Sequence, residues 1–262
     1  MPSRAITPRK ANLTPDYEAR LLLNPEAVLN DDHEPTGAVL LAFGMTESTL
    51  MNVQFFDTDS KDISAADWSV RIRKRADRSN LELTYKKRSN IASDNVDAAL
   101  TVANIDGFDA DDTNYEAQVE WGFMTRVLSI SREKKARSPT NGVDLPDAED
   151  SRKMLIDEAP GKFDNWRHNK WGTAALNRSR PYGPVLAKRW IGTWSDIKLF
   201  IEVWPIRTGS DGKITYIVEA SFKTSSLLTA ETEHAKLATH LEDKKWFLAQ
   251  DAQKTRLILE NY

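Results

Sequence analysis

Apolar and polar residues alternate with a period of two along eight stretches of the chain. This spacing is typical of β-strands, because successive side chains of a strand point to opposite faces of the sheet. The predicted strands span residues 16–22, 53–57, 68–74, 81–88, 118–126, 186–194, 197–204 and 214–223. Residues 207–213 contain two glycines and an Asp-Gly step, which favour a hairpin turn. We therefore expect the last two strands to pair antiparallel.

Helical signals are fewer. Asn24 followed by Pro25 predicts the start of a short helix, because Asn caps a helix and Pro fits its first turn. Residues 147–158 and 230–248 are the two longer predicted helices. A last short helix is predicted over 252–260, with Asp251 as its N-cap.

The segment 131–184 is rich in charge and contains five prolines. Strands of one pattern precede and follow it, so we expect a charged excursion with one or two helices and not a domain boundary. The polar residues 1–13 are predicted to form a disordered tail. The remainder, 14–262, is then expected to form a single domain.

Composition excludes several classes of protein. The 262 residues include no cysteine, which rules out a disulfide scaffold, a cysteine zinc module and a cysteine nucleophile. The 36 Lys and Arg against 39 Asp and Glu give a net charge of −3, so we expect no nucleic-acid partner. Residues 1–12 lack an apolar run, and the longest one, 38–43, is far short of the ~20 residues that cross a bilayer. We expect no membrane association and a cytoplasmic location.

The charged residues lie on one face of each predicted strand. Arg71 and Arg73 point one way, while Val70 and Ile72 point the other. The same separation of faces recurs in the other strands. Such alternation is common in an open sheet with one face in water. A closed barrel is the alternative: its polar faces would line a cavity, with helices covering the apolar faces.

Several motifs occur in an order that resembles a known family. Residues 55–59 read FFDTD, 68–73 read WSVRIR and 83–88 read LTYKKR. These segments resemble the tyrosine-phenylalanine-aspartate-threonine, LRxR and LTxK motifs of the CYTH, or triphosphate tunnel metalloenzyme, superfamily. Residues 16–20, DYEAR, resemble its amino-terminal ExExK signature. The resemblance extends in order over about residues 14–224.

The resemblance implies an α+β fold: an eight-stranded antiparallel tunnel-like β-barrel with helices packed outside, including the C-terminal helices. It also implies a small-molecule polyphosphate or organic diphosphate substrate. The residues that would hold phosphate are Arg20, Arg71, Arg73, Lys86, Arg88, Arg189 and Lys223. The residues that would hold Mg²⁺ or Mn²⁺ are Asp16, Glu18, Glu120, Glu202 and Glu219. Glu18, Arg73 and Lys86 would be catalytic.

The sequence departs from the family pattern at Asp16, whose side chain is one methylene shorter than Glu, or roughly 1.5 Å. Aromatic residues add a further question. We expect Trp121 and Trp190 to pack on the outside of the barrel. Phe200 and Trp204 share a face with Glu202, where they are candidates for contacts with an organic group.

Three functions follow from these features. The first is metal-dependent hydrolysis of an inorganic or organic triphosphate. The second is release of diphosphate from a prenyl diphosphate or a nucleotide by a lyase or cyclase. The third is binding of polyphosphate without catalysis.

Overall fold

The computed structural model of the chain describes residues 10–209 and 212–262, and in this part ten strands form one sheet. The strands are β1 (Asp16–Leu23), β2 (Ser48–Asp57), β3 (Trp68–Arg75), β4 (Asn80–Asn90), β5 (Glu116–Trp121), β6 (Arg126–Arg137), β7 (Arg180–Trp194), β8 (Ile197–Thr208), β9 (Lys213–Thr224) and β10 (Phe247–Leu248). The helices are α1 (Pro25–Val28), α2 (Gly37–Ala42), α3 (Val96–Ile105), α4 (Ala148–Asp157), α5 (Gly161–Asp164), α6 (Trp171–Asn177), α7 (Leu227–Asp243) and α8 (Lys254–Asn261).

In the described part of the chain, nine of the strands close into a barrel in the order β1-β5-β6-β4-β3-β2-β7-β8-β9, with β9 pairing back to β1. The short β10 pairs with β1 outside this ring. The predicted α+β barrel is therefore confirmed, and an open sheet is excluded. Two details differ from the expectation: the ring has nine strands and not eight, and β1 pairs with β5 in parallel while the other pairs are antiparallel.

The extra strand arises where one strand was predicted over 118–126. The chain turns at residues 122–125, where the amide of Gly122 donates to the carbonyl of Thr125 at 2.9 Å. The strand that follows, β6, pairs with β4 along its whole length and runs into the segment expected to be a charged excursion. Its last residues are partly exposed, so polar residues are tolerated on both faces there. Because charged residues occur on both faces there, the segment lacks the alternation that predicts a strand.

The four helices whose positions were predicted, α1, α4, α7 and α8, lie close to those positions, whereas the segment 131–184 holds three helices, α4 to α6, and not one or two. The side chain of Asn24 accepts a hydrogen bond from the amide of Glu26, as a cap does. Helix α4 falls within the predicted 147–158, and α7 ends at Asp243, because β10 takes up the end of the predicted 230–248. The expected cap of α8 is wrong. Asp251 instead accepts hydrogen bonds from the β5–β6 turn, and Gln253 occupies the N-cap position.

The predicted tail is only partly within the described residues, since residues 1–9 lie outside them. Asn12 forms a β-bridge with Asp109. The ammonium of Lys10 lies 3.4 Å from Asp109 and 3.2 Å from Asp111. The end of the predicted tail therefore contacts the segment that follows α3.

Two apolar clusters cover the outside of the barrel. One joins β3, β4, β5 and β6 to the helices α3 to α6, with Trp68, Leu83 and Phe163 among its buried side chains. The other joins β1, β8 and β9 to α7, through Leu21 and Leu237 among others. Trp121 and Trp190 lie in these two clusters, as predicted. None of the helices in the described residues is long and apolar enough to span a bilayer.

Helix α8 packs differently. Its buried Ile258 and Leu259 join a third cluster with strand residues that include Phe55 and Trp204. Both of these rings also line the central cavity, so α8 lies on the inward-facing side of the barrel wall. The C-terminal Tyr262 fixes the far end of the helix, because its hydroxyl accepts a hydrogen bond from the amide of Arg207 at 3.1 Å.

Replacing Leu237 with alanine tests the packing of α7 on the barrel. Leu237 is fully buried, so Leu237→Ala is expected to lower the free energy of unfolding by about 2–5 kcal/mol. Urea denaturation followed by circular dichroism measures it. Leu228, on the same helix, is 72% exposed. Leu228→Ala is the matched control, expected to stay within about 0.5 kcal/mol of the wild type; equal losses in both variants would contradict the packing.

Candidate functional site

The inward faces of the strands, with the start of α8, enclose a cavity of about 440 Å³. Its lining is mostly charged. In the described part of the chain, nine basic residues and six carboxylates line it; with Glu82, which pairs with Arg73 on the same face, the formal excess is two positive charges. The basic residues are Arg20, Arg71, Arg73, Arg75, Lys86, Arg88, Arg189, Lys223 and Lys254, and the acidic residues are Glu18, Glu116, Glu120, Glu133, Glu202 and Glu219. A chain with a net negative charge thus concentrates positive charge in one enclosed space.

The residues selected from the sequence converge on this cavity with one exception. Those that line it are Glu18, Arg20, Arg71, Arg73, Lys86, Arg88, Glu120, Arg189, Phe200, Glu202, Trp204, Glu219 and Lys223. Asp16 is exposed at the first position of β1 and is not among the lining residues. The register of β7 places Arg189 inward opposite Glu202, while Lys188 forms an ion pair with Glu34.

Glu120 lies at the centre of one cluster of cations. The Nζ of Lys86 is 2.8 Å from its Oε1, and Arg88 Nε and Arg20 Nη2 lie 3.2 and 3.1 Å from its Oε2. The Glu120 side chain is only 1% exposed, so each of these contacts is sheltered from water. A buried carboxylate is tolerated in such a place only when cations and hydrogen bonds compensate it.

The pKa values in this cluster reflect the opposing effects of burial and of the neighbouring charges. Burial alone raises the pKa of Glu120, but Lys86, Arg88 and Arg20 outweigh it and hold that pKa well below its usual range. Burial lowers the pKa of Lys86 to about 8, although Glu120 opposes the change. Burial likewise opposes the charge of Arg20, but Glu120 and other acids raise the pKa of that guanidinium. Glu120 is therefore ionised and surrounded by positive charge.

Glu202 anchors a second cluster. Its Oε1 accepts hydrogen bonds from Nε and Nη2 of Arg189, the former at 2.8 Å. Its Oε2 accepts from Trp204 Nε1 at 2.8 Å and from Lys254 Nζ at 3.0 Å. The same ammonium donates to Oε1 of Glu219 at 2.8 Å. Lys254 and Arg189 outweigh the burial that would raise the pKa of Glu202, and hold it far below its usual range.

Arg71 is the exception among the buried cations. Its Nη2 donates to Thr84 Oγ1 at 3.1 Å, but no carboxylate of the described residues lies within ion-pair distance. The neighbouring Arg73 is paired with Glu82 and lies 3.7 Å from Glu133. Burial and the charge of Arg73 lower the pKa of Arg71 to about 9. Glu82 and Glu133 only partly oppose this lowering of the pKa, so Arg71 is a buried guanidinium without an ion-pair partner among the described residues.

Several buried donor atoms at the cavity, one of them in Arg71, also lack hydrogen-bond acceptors. In the described part of the chain, the Nε atoms of Arg71 and Arg20 and the Nε2 of Gln118 are shielded from water and have no hydrogen-bond partner. All three side chains line the cavity. Because unsatisfied buried donors are costly, a ligand that supplies acceptor oxygens would stabilise them.

Two of the acidic residues, Glu120 and Glu202, are poorly suited to hold a divalent cation. Among the described residues, no group of three or more His, Asp or Glu side chains is arranged to hold a metal ion. A carboxylate offers about four lone-pair positions. Glu202 already accepts four hydrogen bonds, and Glu120 contacts three cations. Neither Glu120 nor Glu202 therefore has an oxygen free for the Mg²⁺ or Mn²⁺ expected from the family resemblance, whereas Glu18 and one oxygen of Glu219 are less committed.

The aromatic side chains at the cavity contact cations. The guanidinium of Arg189 lies 4.9 Å from the ring centre of Phe200, and the ammonium of Lys254 lies 4.9 Å from that of Trp204. Both rings face the cavity, as contacts with an organic group would require. Their faces hold the cations in place as well as offering surface to a ligand.

Sequence reasoning missed several residues of the site, above all Lys254. The sequence of residues 252–260 indicated only a short helix and did not indicate that the helix packs inside the barrel. Arg75, Glu116 and Glu133 also line the cavity. Arg75 and Glu116 continue the alternation of inward residues on β3 and β5, so extending the predicted strands by one or two residues would have found them. Glu133 could not be found in this way, because β6 was not recognised.

Comparison with known proteins supports the fold. No family model matches the sequence, and no curated protein matches it. Among solved structures, a candidate adenylyl cyclase from Hippeastrum, HpAC1, described as having a dominant triphosphatase activity, superposes with a TM-score of 0.51 at 14% identity, over 94% of this chain and 99% of that chain. A candidate adenylate cyclase from Bacillus halodurans gives 0.52 at 11% identity, over 95% and 98%. At these identities the likeness is one of fold: this chain shares the barrel of those two proteins.

Proposed function

We propose that the cavity binds a triphosphate or another linear polyphosphate and that the protein hydrolyses it. The observation that carries this proposal is Arg71, a cavity-facing guanidinium with no acidic partner in the described residues. A guanidinium binds phosphate oxygens through two parallel hydrogen bonds, and the burial that lowers its pKa strengthens that interaction. A polyphosphate would supply the missing negative charge.

The length of the basic lining favours a polyphosphate over a single phosphate. Arg71 and Arg73 lie on β3, and Lys86 and Arg88 lie on the neighbouring β4. Arg20 lies on β1, which β5 and β6 separate from β4. Cations on several walls can contact consecutive phosphoryl groups. The excess of positive charge is suited to an anion that carries several charges.

The chemistry follows from the same groups. Phosphoryl transfer depends chiefly on positioning and on stabilising charge in the transition state. We assign that stabilisation to Arg73 and Lys86. We assign Glu18 to the attacking water, which its carboxylate would orient or deprotonate. Glu18 has only a loose contact, 3.7 Å, with Lys223, so its oxygens are less committed than those of Glu120 and Glu202.

Release of diphosphate from an organic substrate is the second candidate. Phe200 and Trp204 favour it, because their rings face the cavity and could contact a base or a hydrocarbon. The cyclase designations of the two solved structures point in the same direction. The triphosphatase activity described for the Hippeastrum protein favours hydrolysis.

Replacing Arg71 with glutamine tests the binding step. Arg71→Gln removes the unpaired charge and keeps a polar side chain. Since hydrogen bonds to charged groups contribute about 1.5–3 kcal/mol, the affinity for tripolyphosphate is expected to fall about 10- to 150-fold. Isothermal titration calorimetry measures it. Arg78→Gln, in the exposed turn between β3 and β4, is the control that should leave the affinity unchanged. Equal affinities of wild type and Arg71→Gln would disprove the site.

A product assay tests the reaction. Tripolyphosphate, nucleoside triphosphates and prenyl diphosphates are each incubated with Mg²⁺, with Mn²⁺ and with a chelator, and phosphate, diphosphate and organic products are quantified. We expect phosphate from a triphosphate, with a loss of about 10²- to 10⁴-fold in Glu18→Gln, the range of general base catalysis. Glu149→Gln, on α4, is the control.

Other product patterns identify the alternatives. Diphosphate accompanied by a cyclised product, without phosphate, assigns the protein to the lyase and cyclase class and contradicts the hydrolase. Tight binding of tripolyphosphate without turnover of any substrate identifies a binding protein. The chelator arm shows whether a divalent cation is required.

A further inference from the structure

The pair formed by Glu202 and Glu219 is occupied by a cation of the protein itself. These residues lie opposite each other on β8 and β9. The ammonium of Lys254 lies between them, 3.0 Å from Oε2 of Glu202 and 2.8 Å from Oε1 of Glu219. All three side chains are largely buried, with exposed fractions of 15% for Lys254, 7% for Glu202 and 5% for Glu219.

The charges of this cluster already balance. Two carboxylates face two cations, Lys254 and Arg189. Glu202 has four hydrogen-bond donors on its two oxygens and so has no lone pair left for a metal. A divalent ion entering here would add two positive charges to a neutral, buried cluster. An ion that bridges both carboxylates would have to displace Lys254.

Lys254 is held in place by contacts that need no ligand. It is the first residue of α8, whose Ile258 and Leu259 are buried against the inward side of the barrel wall. Just before the helix, Asp251 accepts hydrogen bonds from the amides of Phe123 and Met124 at 2.7 and 2.9 Å. The backbone that carries Lys254 is therefore held beside the two carboxylates.

We propose that the Lys254 ammonium is the resident cation of the Glu202–Glu219 pair, in the place where the family resemblance assigns a divalent metal. The next step rests on the proposed function: the polyphosphate binds without a metal ion on these two carboxylates. Guanidinium and ammonium groups then neutralise the substrate at this end of the cavity.

Counting Mn²⁺ sites tests the proposal directly. The number of ions bound is measured by electron paramagnetic resonance of free Mn²⁺, in the wild type and in Lys254→Gln, each with and without Glu219→Gln. Glu219→Gln should remove no site from the wild type and one site from Lys254→Gln. Any other pair of values overturns the proposal, including a wild-type site that depends on Glu219. Arg256→Gln, an exposed cation of the same helix, is the matched control and should gain no site.

A second measurement tests the proposal in case the Lys254→Gln variant does not fold. Lys254→Gln leaves two buried carboxylates with one cation fewer and is expected to be destabilised. If it is unfolded in the absence of metal, Mn²⁺ should restore its folded circular dichroism spectrum, because the ion replaces the lost charge. A variant that stays unfolded in Mn²⁺ contradicts the proposal. Neither readout uses a polyphosphate, so either result is independent of whether the proposed function is correct.

Discussion

The structure depends on one constraint: charges placed on the inner face of a closed barrel must be compensated there. Eight of the nine strands turn charged side chains inward, all but β2, and there water is limited and interactions between charges are strong. Glu120 contacts cations from β1 and β4, and Glu202 contacts cations from β7 and α8. Once these pairs have formed, Arg71 still has no carboxylate within ion-pair distance in the described part of the chain, and the proposed binding of an anion rests on this guanidinium.

The alternation of residues along the strands was enough to predict most of the site. A period of two places Arg71 and Arg73 on one face, and closure of the barrel turns that face inward. Alternation alone could not decide between a cavity and water, since both give the same pattern. The side of β7 that faces inward also depended on its pairing with β8, which places Arg189 opposite Glu202.

What the sequence could not predict depends on contacts between distant segments. Lys254 reaches the site because α8 packs its apolar residues against the inner wall, and nothing in a short helical pattern indicates which surface it will cover. Strand β6 was missed because its charged end is half exposed and lacks alternation. Asp16 matched a motif by position, but as the first residue of its strand it is exposed beside the cavity lining.

The two attachments of α8 have a consequence for binding. One end is tied through Asp251 to the β5–β6 turn, and the other through Tyr262 to β8, so the helix connects separate parts of the barrel wall. Such a cross-connection limits changes in the width of the cavity. The cationic groups are therefore preorganised, and a ligand need not spend binding energy on ordering them. Discrimination among polyphosphates would then depend on how well their length fits a space of fixed size.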